Sequence, residues 1–117
     1  MYTQLQPVLY IKTLMAEKEF YQKLGFTVSY DEPEFAVMAY EDSILFGLQV
    51  REQFDPAQVE QQLLWQIGTR SVGSVYKVCE RENLEVVQRP TLQDWGEWTL
   101  VVKSPNGYRV IFEGPLD

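Results

Sequence analysis

Apolar and polar residues along the chain fall into short runs, each of which points to one element. In "PVLYIK" (7–12) the residues Val8, Leu9, Tyr10 and Ile11 form an apolar run that predicts a strand, and Thr13 is placed to cap a helix behind it. In "LMAEKEFYQKL" the residues Ala16, Phe20 and Leu24 share one stripe with Tyr21 beside them. Lys18, Glu19 and Lys23 face away, so an amphipathic helix is expected here. Gly25 can end it in a left-handed conformation. Three strand-like runs follow at 26–30, 35–40 and 44–50, separated by the acidic turns "DEPE" and "EDS".

The segment "FDPAQVEQ" (54–61) reads as a connector with one helical turn started by Asp55 and Pro56. The cycle then restarts. "QLLWQI" (62–67) predicts a strand, and Gly68 to Ser71 a turn. Val72, Val75, Tyr76 and Cys79 recur at the spacing of one helix face. "LEVVQ" (84–88), "EWTLVVK" (97–103) and "YRVIFE" (108–113) are the remaining strands, the last two joined by a Ser-Pro-Asn-Gly turn. The order is β-α-β-β-β twice, a duplication. The expected architecture is α+β, one domain over 1–117 built of two tandem βαβββ modules at about 5–53 and 60–115, with a linker at about 54–60.

Composition narrows the chemistry. A chain of 117 residues with 45% hydrophobic and 14% aromatic content can bury a real core. No stretch is long and apolar enough for a membrane helix, and "MYTQLQPVLYIK" does not read as a signal peptide. Cys79, the single cysteine, excludes an internal disulfide and suits a reducing cytoplasm; on its helical stripe it reads as a small buried hydrophobe. The net charge of −7 argues against nucleic acid as a partner and is compatible with a cationic ligand, although an acidic surface also serves solubility. The chain has no histidine, which removes Ser-His-Asp triads, Cys-His pairs and two-histidine metal sites from consideration.

The duplicated order, with "FYQKLGF" closing the first helix and "WGEWTLVVKSPNGYRVIFE" near the C-terminus, resembles the vicinal oxygen chelate superfamily. That group includes glyoxalase I, extradiol dioxygenases and the bleomycin-resistance proteins. "PVL", "LGF", "FAVMAYEDSILF" (35–46) and "QDWGEW" (93–98) look most like the bleomycin-resistance branch. The resemblance implies a half-open mixed β-barrel or cup, a homodimer, and a cleft that sequesters a cationic glycopeptide antibiotic without a metal or other cofactor. The enzymes of the superfamily instead place metal ligands on four strands. Here Gln6 stands at the first position, Leu45 to Leu48 with Gly47 at the second, and Gln62, Leu63 and Leu64 at the third. The fourth, four residues beyond Gly107, is Ile111. A divalent cation needs anionic oxygens or imidazoles to offset its dehydration, and this set lacks them.

Glu113, one rung beyond Ile111, is the remaining candidate for proton transfer, with pairing to Arg109 on the same face as its plainer role. The resemblance implies ligand contacts at Tyr30, Phe35, Trp65 and Trp95, with Gly47 on the metal-site strand and Asp31 drawing a positive group. Flat aromatic walls attract planar and cationic ligands. Trp65 has two readings: it lines the cleft, or it is core if Gln62, Leu64 and Gln66 line the cleft instead. The expected function is a metal-free protein binding an aromatic, cationic small molecule; the alternative is a glyoxalase- or dioxygenase-type enzyme with an atypical metal site.

Overall fold

The computed structural model describes residues 1–59, 63 and 65–117, which divide into two compact units, Met1–Phe54 and Asp55–Asp117. The first unit contains β1 (Val8–Ile11), α1 (Leu14–Lys23), β2 (Thr27–Glu32), β3 (Phe35–Tyr40) and β4 (Ile44–Val50). The second opens on the single turn α2 (Pro56–Val59) and continues with β5 (Trp65–Gly68), α3 (Val72–Arg81), β6 (Glu85–Leu92), β7 (Trp98–Lys103) and β8 (Arg109–Gly114). Each unit forms a four-stranded mixed sheet with its longer helix on one face, in the orders β1-β4-β3-β2 and β5-β8-β7-β6. β1 runs parallel to β4 and β5 to β8, and the other pairs are antiparallel. The expected βαβββ repeat is therefore present in both halves. Gln62 and Leu64, at the start of the expected fifth strand, lie outside the described residues.

The helix-side faces hold the cores. In the first unit Tyr21 is fully buried and meets Phe20, Phe26 and Phe46 edge-on, with ring centroids 5.0, 5.7 and 4.8 Å away. That geometry aligns positive ring edges with negative faces. In the second unit the buried apolar set is mostly aliphatic, Ile67, Val72, Leu100, Val102 and Val110, with Cys79, Tyr108 and Phe112. The stripe of α1 differs from the expected one. Ala16 is only half-buried and Glu17 is fully buried between Leu14 and Tyr21, a position that apolar patterning passes over because of its residue type. Gly25 does close the helix with φ +100, and Gly107 of the Ser-Pro-Asn-Gly turn has φ +94.

Both units carry a bulge in the same place, between Val28 and Tyr30 in β2 and between Val86 and Gln88 in β6. The registers then match strand for strand. Tyr30 pairs with Val37 and Val37 with Gly47, as Gln88 pairs with Val101 and Val101 with Ile111. Phe35 corresponds to Thr99 by the same count, and Val8, the β1 partner of Gly47, to Gln66, the β5 partner of Ile111. The hairpins differ in length. Seven positions separate Tyr30 from Val37 but thirteen separate Gln88 from Val101, so β6–β7 carries six more residues, within which Trp95 falls.

Candidate functional site

The face of each sheet turned away from its helix carries the candidate chemistry. In the first unit Val8, Tyr10, Tyr30, Phe35, Val37 and Gly47 share it. The Phe35 ring lies on the backbone of Gly47: a Cβ built there would come within 3.0 Å of the ring, and within 3.3 Å of Val8. Glycine thus leaves room for the ring against the sheet. Tyr30 stands beside it, with ring centroids 6.2 Å apart, and is half exposed. Its hydroxyl donates to Glu32, and that bond, ahead of burial and the Glu32 charge, holds the tyrosine above its ordinary pKa. The Arg51 guanidinium lies 4.2 Å from the Tyr10 ring centroid and donates to the Tyr10 hydroxyl at 3.0 Å.

Asp31 is not on this face. The bulge turns it to the helix side, where Lys18 of α1 donates to both its oxygens at 3.0 and 3.1 Å. Among the expected contacts of the first unit, the structure therefore brings together Tyr30, Phe35 and Gly47 and separates Asp31 from them.

The second unit presents a polar face. Glu113, half-buried on β8, accepts from Nε2 of Gln66 on β5, and its other oxygen accepts from the Trp95 indole N–H at 2.7 Å. Two neutral N–H groups hold it, where the sequence suggested an ion pair with Arg109. Across the ladder Thr99 faces Glu113 and links Gln93, which donates to its hydroxyl at 2.7 Å, to Gln88, which accepts from it at 3.3 Å. The two readings of Trp65 differ in which face of β5 it takes. Because Gln66 pairs with Ile111 on the free face, Trp65 pairs with Val110 and shares the helix side with buried Ile67. It stands with the core, half-buried, apart from the Trp95–Glu113 group.

The donor set does not fit a divalent metal. Gly47 and Ile111 occupy the strand positions where ligands would stand, Gln6 before β1 is a neutral amide that accepts from Gln4 at 3.3 Å, and the oxygens of Glu113 are taken by neutral donors. Among the described residues no group of three or more cysteine, aspartate or glutamate side chains comes together. Cys79 is buried, and that burial pushes its thiol up to about 11, which leaves no thiolate for nucleophilic work near neutral pH. Sequence reasoning weighed Gln66 only as an alternative to Trp65, and missed Thr99 and the Arg51–Tyr10 pair. The internal repeat was the signal for Gln66 and Thr99, since aligning the modules puts them opposite Val8 and Phe35.

This arrangement, a duplicated βαβββ unit with its chemistry on the free faces of both sheets, is that of a known class. A family model described as the Glyoxalase/Bleomycin resistance protein/Dioxygenase superfamily matches residues 3–112, and the chain belongs to that superfamily. Solved structures with this fold include a bleomycin resistance determinant encoded on the transposon Tn5, at 17% identity over 97% of this chain and 98% of that one, TM-score 0.77. A bleomycin-binding protein complexed with bleomycin matches at 16% identity over 97% and 98%, TM-score 0.77. A glyoxalase/bleomycin resistance protein/dioxygenase from Alicyclobacillus acidocaldarius matches at 13% over 97% and 91%, TM-score 0.75. No curated protein matches the chain. Among the described residues no helix is long and apolar enough to cross a membrane.

Proposed function

We propose that this protein binds a small aromatic, cationic molecule without a metal and holds it instead of converting it. The observation that supports this most is Glu113 on the free face of the second unit, held by neutral donors. The free face of the first unit, taken by itself, offers the half-exposed ring of Tyr30 beside the half-buried ring of Phe35. Rings attract planar and cationic groups, and a carboxylate held by neutral donors attracts a positive charge. Among the described residues no group of three or more acidic or thiol side chains comes together to hold a divalent cation that would polarise a substrate. The bleomycin-binding neighbour brings a glycopeptide antibiotic of this character into view as a ligand, with sequestration as the route to resistance. We infer also that the two modules work as one domain, in a homodimer, in the reducing cytoplasm; the superfamily resemblance and the lone buried Cys79 support this.

Calorimetric titration with bleomycin, ethidium and benzamidine, with and without chelator, tests the reading. Saturable binding of at least one compound, unchanged by chelator and leaving the compound chemically intact, is expected. Failure of all three to bind removes it, as does stoichiometric bound metal lost on Glu113→Gln.

A further inference from the structure

The reading above leaves open where a cation is held, and the following inference rests on it. Trp95 stands in the six residues by which the β6–β7 hairpin exceeds its counterpart. The hairpin tip is closed by the Gly96 N–H donating to the Gln93 carbonyl at 3.0 Å and the Gln93 N–H to the Glu97 carbonyl at 2.9 Å, with Gly96 at φ +94. Its base is tied to β7 through Gln93 and Thr99. The Trp95 side chain at the tip is 65% exposed, so packing does little to fix it. What fixes it is its one polar atom, the indole nitrogen, on Glu113.

That bond is exchangeable. A neutral N–H gives the carboxylate one hydrogen bond, whereas a cationic donor adds to that bond the attraction between two full charges. Beside the carboxylate opens a hollow of about 420 Å³, lined by Thr69, Arg70, Glu97, Glu113 and Pro115. Its volume suits a single-ring molecule, and two carboxylates against one guanidinium give it an excess of negative charge. The first unit has no such arrangement, because Gln49 stands where Glu113 stands and its hairpin lacks the extension.

We propose that Glu113 anchors a planar amidinium or guanidinium group of the ligand and that Trp95 is a latch which this cation displaces. The flat cationic fork takes over the carboxylate oxygen that the indole holds, and the carboxylate keeps its bond from Gln66 on the other oxygen. The latch keeps the carboxylate satisfied while the site is empty and leaves when a stronger donor arrives.

Benzamidine and its neutral isostere benzamide test this on 15N-labelled protein, with the Trp95 indole N–H signal assigned by Trp95→Phe. Benzamidine is expected to shift that signal saturably, leaving those of Trp65 and Trp98 in place, and benzamide is expected to leave all three unmoved. Glu113→Gln should weaken benzamidine about tenfold, the scale of a hydrogen bond to a charged group. Trp95→Phe keeps a ring but has no N–H to displace, so it should bind benzamidine about fivefold more tightly. An unmoved Trp95 signal, equal affinity in Glu113→Gln, or equal or weaker affinity in Trp95→Phe overturns the latch. If bleomycin or ethidium binds while benzamidine does not, the latch falls and the binding function stands. If no compound binds, both fall.

Discussion

The two units share strand order, helix placement and even a bulge, yet they differ on both faces of the sheet. On the helix side the first packs rings around Tyr21, and the second puts Cys79 at the matching place in a mostly aliphatic core. On the free side Phe35, Gly47 and Val8 of the first stand where the second has Thr99, Ile111 and Gln66. The shared features are those that backbone hydrogen bonding and register impose. The differing ones are side-chain choices that the same ladder accepts, so duplication left the scaffold in place and the chemistry free to diverge.

The largest effect expected from breaking this comparison is at Tyr21. Tyr21→Ala removes the centre of the ring cluster and should cost about 4 kcal/mol in urea unfolding. Cys79→Ala, at the matching place, should cost well under half of that, since only a small side chain is lost. Next is Gly114. The corresponding residue of the first unit is Val50, but a Cβ on Gly114 would collide with the Thr69 carbonyl, where the turn after β5 crosses β8. Backbone cannot swing aside as a side chain can, so Gly114→Ala should cost about 3 kcal/mol by the same measurement.

Much of the fold was legible because both signals it depends on are periodic. The α3 stripe and the alternating strands β7 and β8 place their own faces. The candidate site was legible only in part, and the reasons are local. Strict alternation from Val28 would put Tyr30 on the helix side and Asp31 on the free side; the bulge at Ser29 exchanges them, and no residue type announces it. In "QLLWQI" both faces carry apolar residues, so only pairing with β8 decides that Gln66 is free and Trp65 is core. The Trp95–Glu113 bond joins residues 18 apart across a hairpin extension, which no periodicity reports.

A smaller effect separates the two free faces. Gly47→Ala places a methyl 3.0 Å from the Phe35 ring, which can tilt to make room, so the cost should be about 1 kcal/mol. The tilt should also change the near-ultraviolet circular dichroism of the aromatic residues. No counterpart is expected in the second unit, where Ile111 already fills that place.

The smallest effect belongs to Asp31, and it sharpens the comparison most. Asp31 and Glu113 look alike in sequence, each an acid next to an aromatic residue in a strand. Asp31 lies against Lys18, its side chain about half exposed, in a pair that water and salt screen. Asp31→Asn should therefore change stability by less than about 0.5 kcal/mol, a difference that shrinks further in high salt. It should also leave benzamidine affinity within about twofold, against the roughly tenfold loss expected for Glu113→Gln. A large loss of affinity in Asp31→Asn would mean that this carboxylate meets the ligand. The bulge would then not turn it toward the helix in solution, and the distinction between the two acids would collapse.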